Sequence, residues 1–256
     1  HAVPVRKCTE KCALDVGESG STLRFLLPVV CALGIKAHIL MRGRLPKRPL
    51  SPLWEELERH GCCLKRNPDG SVDTSGKLYG GEFRMAAGVS SQFISGLLFA
   101  LPLLGGGRIR LTGQVESAGY LAMTCQAMTR FGIEVSRTED GFRVAPGGYR
   151  SPGQACVEGD WSGGAFWLCA QALGQDITCL GLSPDSAQAD RRVGEAIRQI
   201  RSGSAEISAR DIPDLVPALA VLAAATPGTT RFADARRLRI KESDRIESTL
   251  TLIRAL

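Results

Sequence analysis

The sequence predicts an α/β protein of two similar domains, each built from repeated strand–helix units. Three observations carry that expectation. Four segments share one design: a polar or glycine-rich head, an apolar body, a glycine terminator and a short β-rich run. Each is followed by a stretch with apolar residues at helical spacing. A Pro/Gly-containing linker over residues 149–154 divides the segments two and two.

Taken in order, the first head is Glu18-Ser-Gly-Ser-Thr, with a body ending at Gly34 and a β-rich run over 35–40. The second starts at Gly88-Val-Ser-Ser-Gln, ends at Gly105 and leads into 108–111. The third, Gly159-Asp-Trp-Ser-Gly-Gly, ends at Gly174 and leads into 176–180. The fourth, Asp211-Ile-Pro-Asp, ends at Gly228 and leads into 229–232. Polar caps before a body and glycine after it are helix start and stop signals. Bodies apolar on nearly every side predict buried helices. The second helix of each unit is amphipathic: 52–60, then Leu121, Cys125 and Met128, then 187–200, then Ile246, Leu250 and Ile253. Short strands are expected at 62–65, 133–136, 141–144 and 205–208. The domains therefore run 1–154 and 155–256, two units of about 50 to 70 residues in each. The fourth unit reaches residue 256 in its amphipathic helix and nothing upstream matches the first, so the repeat is expected to be cut at one end or both. His1, in place of an initiator Met, reads as a cut end.

Composition narrows the function. With 44% hydrophobic and 23% charged residues, disorder is excluded. The longest apolar stretches, such as 25–35, are too short to span a membrane. The nine cysteines form no Cys-x-x-Cys pair and lack metal-ligand spacing. They read as small buried hydrophobes of a cytoplasmic protein. Net charge is +6, from 32 Lys and Arg against 26 Asp and Glu. Residues 19–54 hold no acid yet carry Arg24, Lys36, Arg42, Arg44, Lys47 and Arg48, and a second basic run spans 231–245. Such concentrations point to anionic partners. Aromatics, at 5%, do not interleave with them as nucleic-acid stacking platforms would.

Helix N-termini with free N–H groups and close-approach glycines are ready anion sites. Ser21 and Thr22 on one head, and Ser90 and Ser91 on another, add hydroxyl donors; the plain alternative for each is ordinary capping. In Leu238-Arg-Ile-Lys-Glu-Ser-Asp-Arg-Ile, a helix would place Lys241 and Arg245 on one face. Asp214, between Pro213 and Leu215, is either a helix cap or, with Glu242, a carboxylate for acid–base chemistry. His1, His38 and His60 show no triad or metal pattern.

Six motifs then stand together: Gly17-Glu-Ser-Gly-Ser-Thr-Leu-Arg-Phe, Gly43-Arg-Leu-Pro-Lys-Arg-Pro, Ser90-Ser-Gln-Phe-Ile-Ser-Gly, Glu116-Ser-Ala-Gly-Tyr, Asp211-Ile-Pro-Asp and Arg239-Ile-Lys-Glu-Ser-Asp-Arg. In order and spacing they resemble the 5-enolpyruvylshikimate-3-phosphate synthase family across essentially the whole chain. The resemblance implies transfer of the enolpyruvyl group of phosphoenolpyruvate to the 5-hydroxyl of shikimate 3-phosphate, releasing phosphate. It implies two domains of βαβαββ units (the enolpyruvyl transferase fold), each incomplete here. No metal or organic cofactor is implied. Its partners would be small anions, with no nucleic acid or membrane, in a cytoplasmic protein that is monomeric when complete.

Residue by residue, Ser90, Ser91, Ser117, Tyr120 and Lys241 match shikimate 3-phosphate positions, and Asp214 is counted with them. Gln92 matches a position between both ligands. Gly20, Ser21, Arg48 and Arg245 match the phosphoenolpyruvate site, and Asp214 and Glu242 match the two catalytic carboxylates. Gly20 further implies glyphosate sensitivity in an intact enzyme. The family's Lys-Ser…Arg motif has no counterpart before Gly17, its C-terminal Arg and Lys are not in this sequence, and Arg237 stands where some members carry Asn. The chain on its own is therefore expected to be inactive or nearly so. Two alternatives are a UDP-N-acetylglucosamine enolpyruvyl transferase, whose reactive-cysteine loop finds no match here, and a non-catalytic anion-binding remnant of the fold.

Overall fold

The computed structural model describes residues 12–86, 88–113, 118–241 and 243–255. Its contacts divide the chain into two compact units. One runs to residue 113 and resumes over Leu121–Gln154; the other takes residues 118–120 together with 155–255.

The first unit contains one βαβαββ motif twice. In the first copy, β1 (Cys12–Asp15), α1 (Gly20–Leu33), β2 (Ala37–Leu40), α2 (Leu53–Arg59), β3 (Cys62–Arg66) and β4 (Val72–Gly76) form a sheet of order β1-β2-β4-β3. In the second, β5 (Glu82–Ala86), α3 (Ser91–Ala100), β6 (Gly107–Thr112), α4 (Ala118–Arg130), β7 (Val135–Thr138) and β8 (Gly141–Val144) form the order β5-β6-β8-β7. In each sheet the first pair is parallel and the other two antiparallel. A right-handed crossover helix is the ordinary way to join a parallel pair, which is where α1 and α3 fall.

Local chemistry sets the helix ends. The Ser19 hydroxyl accepts from Thr22 N–H at 3.2 Å and starts α1. Gly34, at φ 67°, adopts the left-handed conformation that stops it. Pro28 lies inside α1 and lacks the N–H that would bond the Arg24 carbonyl. Gly96 of α3 packs at that point: a Cβ there would lie 2.1 Å from the Arg24 carbonyl oxygen. The two helices thus approach where one has a freed carbonyl and the other no side chain. Leu23, Leu27, Phe93, Ile94, Leu97 and Leu98 are buried in the core around that contact.

The second unit holds α5 (Trp161–Ala172), α6 (Val193–Arg201), β9 (Ser204–Ser208), α7 (Val216–Ala224), β10 (Thr229–Ala233) and α8 (Arg245–Ala255), with β9 and β10 parallel. Its core gathers Ala165, Cys169, Val193, Ile200, Ile207, Leu215, Leu219 and Leu222. Two expectations fail here. Residues 176–180 form no strand: the segment is held by Gln171 Nε2 donating to the Ile177 carbonyl at 2.7 Å, and among the described residues no strand pairs with it. Helix α5, apolar all round, is buried on one side only; Phe166 is 54% and Trp167 59% exposed.

Burial of the cysteines is also uneven. Cys31, Cys62 and Cys169 are buried, but Cys63 and Cys156 are exposed, contrary to the uniform burial expected. The thiol of Cys31, hydrogen-bonded to Cys62 and shielded by burial, is pushed far up from its ordinary pKa. Among the described residues no helix is long and apolar enough to cross a membrane. Nor could any described group of three or more His, Cys, Asp or Glu hold a metal ion.

Candidate active site

In the second unit two cations and a tyrosine converge on one carboxylate. Asp214 lies in a 3-10 turn, Pro213–Leu215, that leads into α7. Its Oδ1 accepts from Arg245 Nη1 at 2.5 Å and Lys241 Nζ at 3.5 Å, and its Oδ2 from the Tyr120 hydroxyl at 2.8 Å. The bonds go to side chains, so Asp214 does not serve as a helix cap. Burial raises its pKa, but Lys241, the Tyr120 hydrogen bond and Arg245 outweigh burial and hold the group below the usual carboxylate range.

Lys241 and Arg245 do converge, though not as expected. A 3-10 segment, Ala235–Ile240, precedes Lys241, whose own backbone is extended. Helix α8 begins only at Arg245, so the two cations do not share a helical face. Asp244 breaks the run: its Oδ1 accepts from the N–H groups of Ile246 and Glu247 at 3.1 and 3.2 Å, starting α8. Arg239 is turned away to Asp244 and Glu247. Glu242 and Ser117 lie outside the described residues.

Behind Asp214 the network continues. Asp190, in a 3-10 turn (Ala189–Arg192) and 2% exposed, receives the Ser162 hydroxyl at 3.0 Å and faces the Tyr120 hydroxyl at 3.4 Å. Asp160 caps α5 by accepting from Ser162 and Gly163 N–H at 3.0 and 3.1 Å. That helix N-terminus, expected to be open to an anion like the others, is already occupied by its own carboxylate.

In the first unit the N-terminus of α1 lies against two guanidinium groups. A Cβ on Gly20 would meet Arg48 Nη1 at 2.5 Å and Arg24 Nη1 at 3.0 Å. Arg24, 5% exposed, donates to Gln92 Oε1 at 2.7 Å and lies 5.2 Å from the centre of the Phe93 ring. Ser21 is engaged with the capping Ser19, Oγ to Oγ 3.2 Å. Ser90 occupies the N-cap of α3 without making the capping bond, and Ser91 is buried in the first turn. Gly20, Ser21, Arg48 and Gln92 therefore gather at one place with α1. Sequence reasoning missed Arg24 and Asp190. Arg24 stood in the acid-free stretch as one basic residue among six, and Asp190 fell unremarked within the amphipathic stretch 187–200.

The backbone arrangement has counterparts among solved structures. An EPSP synthase from Acinetobacter baumannii superposes with a TM-score of 0.69 at 20% identity, over 94% of this chain and 60% of that one. The enolpyruvyl transferase NikO from Streptomyces tendae gives 0.57 at 18%, over 82% and 56%. The fold is thus that of the enolpyruvyl transferases. Within that class, the model of the family EPSP synthase (3-phosphoshikimate 1-carboxyvinyltransferase) matches residues 3–256, and the chain belongs to this family. Curated relatives named 3-phosphoshikimate 1-carboxyvinyltransferase include those of Clostridioides difficile, 39% identical over 93% of this chain, and Clostridium novyi, 35% over 94%. The chain spans 59% and 60% of their lengths.

Proposed function

We propose that the protein containing this sequence transfers the enolpyruvyl group of phosphoenolpyruvate to the 5-hydroxyl of shikimate 3-phosphate. Family membership supports this reading, and the UDP-N-acetylglucosamine alternative is not favoured. The observation that carries the chemistry is Asp214, an ionised carboxylate held among Tyr120, Lys241 and Arg245. A base kept ionised by cations can take a hydroxyl proton at neutral pH.

In this reading residues 1–154 and 155–256 are the first and second transferase domains. Ser90, Ser91, Gln92, Ser117, Tyr120, Asp214 and Lys241 bind shikimate 3-phosphate. Gly20, Ser21, Arg48, Gln92 and Arg245 bind phosphoenolpyruvate, with Arg24 orienting Gln92. Guanidinium groups match carboxylate and phosphate oxygens in pairs, which suits this donor. Glu242 gives a proton to the methylene carbon as the 5-oxygen attacks the neighbouring carbon and Asp214 takes the hydroxyl proton. In the second half the methyl carbon returns a proton to Glu242, the double bond re-forms, the C–O bond to phosphate breaks, and Asp214 gives its proton to the departing phosphate.

The test has two parts. Calorimetry with shikimate 3-phosphate on this chain should show binding that Lys241→Ala weakens. Phosphate release by the protein containing this sequence should nearly vanish in Glu242→Gln, with shikimate 3-phosphate affinity spared. Unchanged turnover would sink the Glu242 role, and binding without turnover in the unaltered protein would support an anion-binding remnant instead.

A further inference from the structure

The buried carboxylate of Asp190 has no role in the reading above, although it faces the Tyr120 hydroxyl. Three carboxylates (Asp160, Asp190 and Asp214) are linked by two hydroxyls, those of Ser162 and Tyr120. Each hydroxyl has one proton to give. Tyr120 lies nearer Asp214, at 2.8 Å, than Asp190, at 3.4 Å. Asp214 has Lys241 and Arg245 beside it. Asp190 has no ion pair among the described residues: Arg191 donates to the Pro184 carbonyl, and Arg192 faces Glu195 at 3.9 Å. Its Oδ1 is buried with no hydrogen-bond partner.

We infer that Asp190 is a positioning residue, which sets the direction in which the Tyr120 hydroxyl donates. This rests on the proposed function for its catalytic consequence, though not for the contact itself. With a proton on its carboxyl, Asp190 donates to the Tyr120 oxygen, and Tyr120 donates its own hydrogen bond to Asp214. Without that proton, Asp190 competes with Asp214 for the single Tyr120 hydrogen. The groups facing Asp190 are Tyr120 from the first turn of α4, Ser162 and Asp160 from the start of α5, and Asp214 from the turn before α7. Burial, helped by the charges of Asp214 and Asp160, outweighs the hydrogen bonds from Ser162 and Tyr120 and pushes the Asp190 pKa up to about 6.

The test labels tyrosine ring carbons with 13C and assigns Tyr120 by its loss in Tyr120→Phe. Over about pH 4.5 to 8 the Tyr120 signal should shift with an inflection near 6 in the unaltered chain, and the inflection should be absent in Asp190→Asn, whose amide keeps the donor. A flat signal in the unaltered chain, or the same inflection in Asp190→Asn, would overturn the inference. In the protein containing this sequence at pH 5, where Asp190 holds its proton, Asp190→Ala should raise the KM for shikimate 3-phosphate about tenfold while Asp190→Asn stays within about threefold. Equal effects of Ala and Asn would reduce Asp190 to a packing residue. Absence of shikimate 3-phosphate binding in the unaltered protein would sink the proposed function, and the NMR titration would still decide the Asp190–Tyr120 coupling.

Discussion

Arg245 Nη1 lies 2.5 Å from Asp214 Oδ1. In the proposed function the first is the cation for the donor's anionic groups, and the second the carboxylate for the acceptor's hydroxyl proton. An anion bound by Arg245 in that function shares the guanidinium with Asp214, which couples donor binding to the basicity of Asp214.

Replacing Arg245 exposes that coupling. Arg245→Ala removes one of the charges that lower the Asp214 pKa, so the pKa rises. The acid limb of kcat/KM against pH should move to higher pH, with weaker phosphoenolpyruvate binding. Pre-steady-state and pH-rate measurements check it; an unmoved acid limb would show that Asp214 is not the titrating base.

Gly20→Ala should act on the ligand site and spare the fold. The new Cβ would displace the Arg48 guanidinium, which is the far end of a flexible chain. Stability in urea should stay within about 0.5 kcal/mol. Affinity for phosphoenolpyruvate should fall about tenfold, read by calorimetry with shikimate 3-phosphate present.

Gly96→Ala should do the reverse. Its Cβ would collide with the Arg24 backbone carbonyl at 2.1 Å, and backbone in a packed helix pair cannot give way cheaply. A loss of about 3 kcal/mol is expected by urea denaturation. A change below about 0.5 kcal/mol would contradict the close approach of α1 and α3.

Asp190 carries a pH-dependent cost. The folded state holds its proton up to about pH 6, whereas the unfolded chain releases it nearer the ordinary carboxylate value. Between those values the folded state binds more protons, so stability falls as pH rises, by about 3 kcal/mol in all. Asp190→Asn lacks this contribution. Relative to the unaltered chain it should gain that much between pH 4 and 7 in paired urea titrations.

The cysteines offer a simpler check. Cys63 and Cys156 should react with Ellman's reagent in the native chain, whereas Cys31 and Cys62 should react only on unfolding. Peptide mapping after brief labelling distinguishes them.

Legibility followed the range of the interactions. The ends of α1 could be read because Ser19 and Gly34 act within a turn of themselves. Strand β4, Val-Asp-Thr-Ser-Gly, escaped notice because its place comes from β2 and β3 on either side. Lys241 and Arg245 were paired for their spacing on one helix, yet they meet on Asp214 with only Arg245 inside α8, whose start Asp244 caps. Asp190 gained its significance only from burial against Tyr120 and Ser162, which no local pattern encodes.

The two sheets of the first unit close their ladders entirely within one motif each: β1 to β4 never pair with β5 to β8. Strand pairing therefore demands only short loop closures, and folding can begin separately in either copy. The long-range step is the docking of α1 on α3 at Gly96. Hydrogen exchange should accordingly protect each sheet as its own cooperative block, with Gly96→Ala loosening the junction before either block opens.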